Sequence, residues 1–243
     1  MIVENKQLFI DHIIELRKRV LNCVITICIV FLILVYFSNN IYNLVALPLI
    51  NQMPEGAKMI ATAVTAPFVT PIKLTIIVSI FLSVPIIIYQ IWAFIAPALY
   101  KNERNLLIPI AIFGTLLFYL GVFFAYFFIL PMAFKFFINA LPKGVTIATD
   151  ITNYLDFIIW LFMVCGISFE IPVVIILLCW IGITDTKKLK NNRAYIFVGT
   201  FIIGMLLTPD VLSQIILAIP LYLLFEIGLF FSHYYLKNYN RLK

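Results

Sequence analysis

The chain has 243 residues, of which 64% are hydrophobic and 12% charged, with a mean hydropathy of +1.10 and a formal net charge of +6. Soluble domains carry roughly 45–50% apolar residues, so a water-soluble globule is excluded and an all-α integral membrane protein is expected; a closed β-barrel is excluded as well, because the apolar runs are continuous rather than alternating. Nucleic-acid binding does not follow from the positive charge, since the basic residues flank apolar runs and form no stripe with interleaved aromatics.

In residues 2–19, Phe9, Ile13, Leu16 and Val20 fall at helical spacing while Asp11, Glu15, Lys18 and Arg19 take the other face. That pattern predicts a short amphipathic helix on the membrane surface over 1–19. Apolar runs follow at 20–37, 74–99, 106–138, 157–183, 194–207 and 211–231. They predict six transmembrane helices in a single polytopic membrane domain over 1–243. The segments 38–73 and 139–156 become the long loops. Of the 17 Lys and Arg residues, thirteen lie on the side of the termini, and only Lys58, Lys73, Lys135 and Lys143 belong to the other. The positive-inside rule then places both termini in the cytoplasm and the two long loops outside. The first run is longer than a signal-peptide core and no small-residue cleavage site follows it, so a cleaved leader is not expected.

The last two runs are short. Ala194 to Leu207 is an apolar stretch of 14 residues, about 21 Å of helix, against about 30 Å of hydrocarbon. In the sixth run, the uninterrupted apolar part is Ile215 to Phe225, 11 residues before Glu226. Pro85, Pro109, Pro131, Pro172 and Pro220 fall inside runs and predict bent helices. The expected architecture therefore has short, kinked helices five and six.

No nucleotide, hydrolase or metalloprotease motif is present, and the two histidines, His12 and His233, are far apart in sequence. Neither an enzyme nor a cofactor is expected. Cys23, Cys28, Cys165 and Cys179 all lie in apolar runs without metal-ligand spacing, so no metal is expected and they read as small core residues.

The informative residues are acids. Glu103 sits in a polar break, Tyr100-Lys-Asn-Glu-Arg-Asn105, on the cytoplasmic side, and Glu15 belongs to the amphipathic segment on that same side. One reading makes them members of solvated pairs, Glu15 with Arg19 and Glu103 beside Arg104, worth a few tenths of a kcal/mol. The other makes them a guanidinium site, where planar bidentate pairing separates Arg from Lys. Glu170 lies mid-run, where an ionised acid costs ~2.5–3.5 kcal/mol on insertion scales; it is expected to face the bundle interior or a wet cavity. Glu226, late in the sixth run, is expected to snorkel or pair with a nearby base. A rival function keeps to Glu170 alone, as the proton site of a proton-coupled small-molecule transporter.

Several stretches together resemble one family. They are His12-Ile-Ile-Glu-Leu-Arg-Lys-Arg19, Pro85-Ile-Ile-Ile-Tyr-Gln-Ile-Trp-Ala-Phe94, Pro97-Ala-Leu-Tyr100 with Glu103-Arg104, Phe169-Glu-Ile-Pro172, Leu207-Thr-Pro-Asp210, and Pro220 with Phe225-Glu226. In this order, over about residues 4–235, they resemble TatC, the polytopic subunit of the twin-arginine protein translocase, in its bacterial inner-membrane form. The resemblance implies a receptor and scaffold that binds twin-arginine signal peptides of folded proteins, whose export the proton motive force drives. It implies that Glu15, Leu16, Arg17, Arg19, Phe94 and Glu103 line the signal-peptide site. Pro48 and Asp210 become functionally sensitive positions on the periplasmic side, and Glu170 a polar residue of the buried bundle. Met205 and Leu206 become the place where the single-helix partners TatA and TatB dock, and self-association in a receptor complex is implied too. The chain departs from the family pattern in having a single proline in Thr208-Pro-Asp210 and Ala98 after Pro97.

Overall fold

The computed structural model describes residues 2–50, 59–95, 107–139, 150–180, 182–207 and 211–239. Among them the regular structure is helical, with one isolated β-bridge between Ile60 and Asp150. The chain divides into two compact units, Met1–Tyr42 with Pro71–Thr115, and Asn43–Thr70 with Leu116–Lys243.

Helix α1 runs Ile2–Leu34 without a break. The amphipathic segment and the first span are thus one helix, because neither Gly nor Pro occurs between them to interrupt it. A 3-10 turn, Val35–Phe37, leads into α2, Ser38–Ile50. Here the structure differs from the loop expected over 38–73: the apolar residues that flank Ser38, Asn39 and Asn40 carry the helix onward, and α3 already begins at Ala66, in Ala66–Ile95. Pro71 and Pro85 lie inside α3. On its buried side Thr75 Oγ1 donates to Pro71 O, Ser79 Oγ to Thr75 O and Ser83 Oγ to Ser79 O, each at 2.7 Å. These bonds satisfy hydroxyls that would otherwise be buried at a cost.

The third apolar run forms α4, Leu107–Phe124, a π-turn at Ala125–Ile129, and α5, Leu130–Asn139. Pro131 explains the wide turn, since its ring crowds the carbonyl four residues back, at Phe127, and it offers no N–H to that carbonyl. Pro109 falls in the first turn of α4, where its missing N–H leaves no orphan. The fourth run is α6, Ile151–Phe169, and α7, Ile171–Trp180, separated at Glu170. Pro172 leaves the carbonyl of Ser168 without its helical donor. The chain answers with a tighter turn in which Glu170 N donates to Ile167 O at 3.0 Å, and α7 resumes through Val174 N to Glu170 O at 3.0 Å.

A short helix α8, Thr186–Asn191, precedes α9, Arg193–Leu207, which has only 15 residues as expected. The expectation of a short sixth helix is corrected. Helix α10 runs Val211–Tyr239 through Pro220, and its membrane-compatible part, Gln214–His233, has 20 residues. Glu226 interrupts the apolar composition without interrupting the helix, because its charge is matched by Arg193. Among the described residues, five helical stretches are long and apolar enough to cross a membrane, at His12–Leu47, Ala66–Phe94, Ile108–Phe136, Ile151–Trp180 and Gln214–His233, with Arg193–Leu206 as a shorter apolar helix. Many of their large apolar side chains are exposed, among them Leu32, Leu116, Phe127 and Phe230. An apolar surface of that extent suits lipid, not water.

In the second unit, close helix approaches fix the core. A Cβ added to Gly121 on α4 would lie 2.7 Å from the Cys165 carbonyl oxygen of α6, and one added to Gly228 on α10 would lie 2.8 Å from Pro172 Cα of α7. The helices on both sides of the Glu170 turn are therefore backed by glycine. Ile175 and Cys179 of α7 pack with Phe225 and Leu229 of α10, and Leu189 and Ile196 close on them from α8 and α9. This apolar cluster anchors the short helix.

Candidate functional site

In the first unit, α1 and α3 bring the expected acid and aromatic residues together. Four residues apart on one helix face, Glu15 and Arg19 pair: Arg19 Nε donates to Glu15 Oε1 at 3.0 Å and Nη2 donates to the same oxygen at 2.5 Å. The remaining Nη1 reaches across to α3 and donates to Gln90 Oε1 at 3.3 Å. The pair is only partly screened, with 22% of the Arg19 side chain and 33% of the Glu15 side chain exposed. Glu15 Oε2 takes no hydrogen bond among the described residues. A guanidinium thus already sits on this carboxylate, and an acceptor oxygen is left over.

Beside it, the His12 ring meets the Phe94 ring edge-on at a centroid distance of 6.1 Å. Leu16 and Arg17 are exposed on α1, and Trp92, two residues beyond Gln90, is buried with its Nε1 lacking a hydrogen-bond partner among the described residues. Of the predicted signal-peptide residues, then, Glu15, Leu16, Arg17, Arg19 and Phe94 belong to this unit. Glu103 lies outside the described residues, as does Asp210. Pro48 belongs to α2, its side chain outside the described set. Gln90 joins this cluster through Arg19. Its sequence signal was a polar residue one turn before Phe94 in an apolar run.

The second unit holds the other polar residues. Both carboxylate oxygens of Glu170 are buried, without a hydrogen-bond partner among the described residues. Glu226 is fully engaged: Arg193 Nη2 donates to Oε2 at 2.5 Å and the Tyr222 hydroxyl donates to Oε1 at 2.9 Å. This matches the expected pairing with a nearby base. Met205 and Leu206 are 73% and 69% exposed at the end of α9. Next to them the two short-loop helices come close, with Gln214 Nε2 donating to Phe201 O at 2.9 Å and its Cγ 2.9 Å from a Cβ added to Gly204.

Asp150 was not foreseen. It caps α6, with Oδ1 accepting from Thr152 N at 2.8 Å and Asn153 N at 3.2 Å, while Oδ2 accepts from Thr62 Oγ1 at 2.6 Å and Thr62 N at 3.0 Å. The Thr62 hydroxyl above all, then the Thr62 and Asn153 backbone donors, hold its carboxyl below the usual 3.8, at about 2. Tyr154 OH on Val45 O, at 3.0 Å, and Tyr126 OH on Leu44 O, at 3.2 Å, tie α2 to the same end. Because the folded state lowers this pKa, the contribution of Asp150 to stability is complete above 3.8 and lost as pH falls through about 2. The melting-temperature gap between the parent chain and Asp150→Ala is expected to close over that window; a gap that is constant down to the acid end would mean the carboxylate contributes nothing.

A family model described as Sec-independent protein translocase protein (TatC) matches residues 11–220. The chain belongs to the TatC family. It is 58% identical over 243 residues to the Sec-independent protein translocase protein TatC of Escherichia coli (strain K12), covering 99% of this chain and 94% of that one. Its identity to the protein of that name from Haemophilus influenzae is 57% over 234 residues, covering 96% and 91%. A crystal structure of the twin arginine translocase receptor TatC superposes with a TM-score of 0.77 at 36% identity, covering 91% of this chain and 98% of that one. A second, in DDM, gives 0.79 at 34% identity, with 91% and 99% covered. The chain is thus a multi-pass membrane subunit of the twin-arginine protein translocase, a transport component.

Proposed function

We propose that this TatC-family chain is the signal-peptide receptor and scaffold of a bacterial inner-membrane translocase, acting as one polytopic domain over 1–243 with six spans and both termini in the cytoplasm. The observation that supports this most is the Glu15 carboxylate, which binds a guanidinium in the resting chain yet keeps Oε2 open. An incoming twin-arginine peptide adds to that oxygen or displaces Arg19, and Glu103 supplies the second acid. Leu16, Arg17 and Phe94 flank the peptide. The exporting step draws on the proton motive force, with TatA and TatB docking at Met205 and Leu206 and copies of the chain associating in the receptor complex; Pro48 and Asp210 shape its periplasmic side.

The test is binding of a fluorescent twin-arginine peptide and its twin-lysine counterpart to the purified chain. Because a lysine offers a point charge instead of a planar fork, the twin-lysine peptide is expected to bind about tenfold more weakly or worse, the scale of one lost charge-assisted bond. Equal binding of the two peptides would end the receptor reading.

Glu170 is assigned to the polar interior of the bundle. Glu170→Gln keeps shape and hydrogen-bonding capacity, so it is expected to assemble and export nearly as the parent does, while Glu170→Leu falls below both. Equal export by the Leu variant would leave the residue no such role.

A further inference from the structure

A cavity of about 380 Å³ opens between α8, the start of α9 and α10. Its cationic lining is Lys187, Lys190 and Arg193, set against the single carboxylate of Glu226, with Leu229 and Phe230 as its apolar wall. Among the described residues neither lysine has an ion-pair partner. Glu226 does not neutralise them, since both of its oxygens are taken by Arg193 and Tyr222. Arg193 itself keeps a donor in reserve, its buried Nε having no hydrogen-bond partner among the described residues. The cavity therefore combines surplus positive charge with an unused N–H.

Its level in the fold decides what it binds. The apolar stretch of α6 and α7 ends at Trp180, that of α10 ends at His233, which also lines the cavity, and the short apolar helix begins at Arg193. Two apolar helices thus end at residues that line the cavity, His233 of α10 and Arg193 of α9, which puts it at the depth of lipid headgroups. Below it, α10 turns exposed Leu223, Ile227 and Phe230 outward, an apolar track on which an acyl chain can lie. A soluble anion has no use for that track. Basic pockets between helices at the edge of a membrane are the common form of anionic-lipid sites.

We infer that this cavity is a binding site for the anionic phosphodiester headgroup of a membrane phospholipid, held by Lys187, Lys190 and Arg193. The lipid would brace α8 and the short helix α9 against α10. This site is independent of the signal-peptide reading and lies in the other unit.

The experiment is native mass spectrometry of the full chain in neutral detergent, titrated with phosphatidylglycerol or phosphatidylcholine. The parent is expected to bind the first phosphatidylglycerol about thirtyfold more tightly than phosphatidylcholine, the factor two juxtamembrane lysines supply. In the Lys187→Gln, Lys190→Gln chain the preference is expected to fall to roughly threefold or less. Lys188→Gln, on the same helix but not lining the cavity, is expected to keep it. No headgroup preference in the parent, or an undiminished one in the double variant, overturns the proposal. So does a loss in Lys188→Gln as large as in the double variant, which would mean surface charge alone. Inorganic phosphate is the last arm: if it displaces phosphatidylglycerol at comparable concentration, the site is one for a soluble anion and the lipid assignment fails.

Discussion

Replacing both Glu15 and Glu103 by alanine is expected to weaken twin-arginine peptide binding by at least about a hundredfold, the product of two lost charge-assisted hydrogen bonds of roughly 1.5–3 kcal/mol each, taken at the lower end. The lower end is appropriate because the Glu15 side chain is one-third exposed, and solvent screens what it contributes. Glu15→Ala alone is expected to cost about tenfold or more. The geometry adds a sharper consequence. Removing Glu15 strips Arg19 of its carboxylate and leaves the guanidinium, among the described residues, with Gln90 alone. An unpaired cation then faces an incoming pair of cations. The Glu15→Ala, Arg19→Gln chain should therefore bind better than Glu15→Ala alone, although it lacks one more candidate contact. If the double replacement binds worse, Arg19 contacts the peptide directly and is not merely the occupant of the acid. Unchanged peptide crosslinking to the Glu15→Ala, Glu103→Ala chain would sink the assignment of both acids.

What could be read from the sequence follows from which interactions are local. The spans were legible because composition alone sets them, and so was the short α9. The Glu15 pairing was legible because its partner is four residues away on the same helix face. Of the two readings of Glu15, the ion pair with Arg19 is the one the structure contains, and the guanidinium site for a peptide is the proposal built on it. Helix α10 was misread because the sequence rule stops an apolar run at Glu226, whereas the chain stops paying attention to that charge once Arg193, 33 residues earlier, is folded against it. Asp150 with Thr62 was invisible for the same reason: the partners are 88 residues apart and each sits in a segment that reads as ordinary loop. The extension of helix beyond residue 38 was missed because Ser38, Asn39 and Asn40 carry turn chemistry locally, and the flanking apolar residues override it.

The close packing around the Glu170 turn gives the largest expected effect on stability. In Gly121→Val the added Cβ would begin 2.7 Å from a carbonyl oxygen of α6 and 2.9 Å from Phe169 Cγ. The first of these is backbone and cannot swing aside, so α4 and α6 must separate along their contact. Overpacking of this kind costs typically 1–3 kcal/mol, and the branched side chain places it near the top of that range. The gain in helix propensity on losing a glycine is under about 1 kcal/mol and does not offset it. A melting temperature lower by about 4–12 °C is expected for the full chain in detergent. The control is Gly199→Ala on α9, where an added Cβ meets nothing within 4 Å. There only the propensity term acts, so a rise of up to about 1 kcal/mol in stability is expected. The same residue type thus responds with opposite sign at two sites. Because Phe169 adjoins Glu170, Gly121→Val should also lower export more than its loss of stability alone would, when compared at matched amounts of folded protein. Were Gly121→Val to melt with the parent, α4 and α6 would not be in contact at this point, and the glycine-backed placement of the buried glutamate would have to be given up.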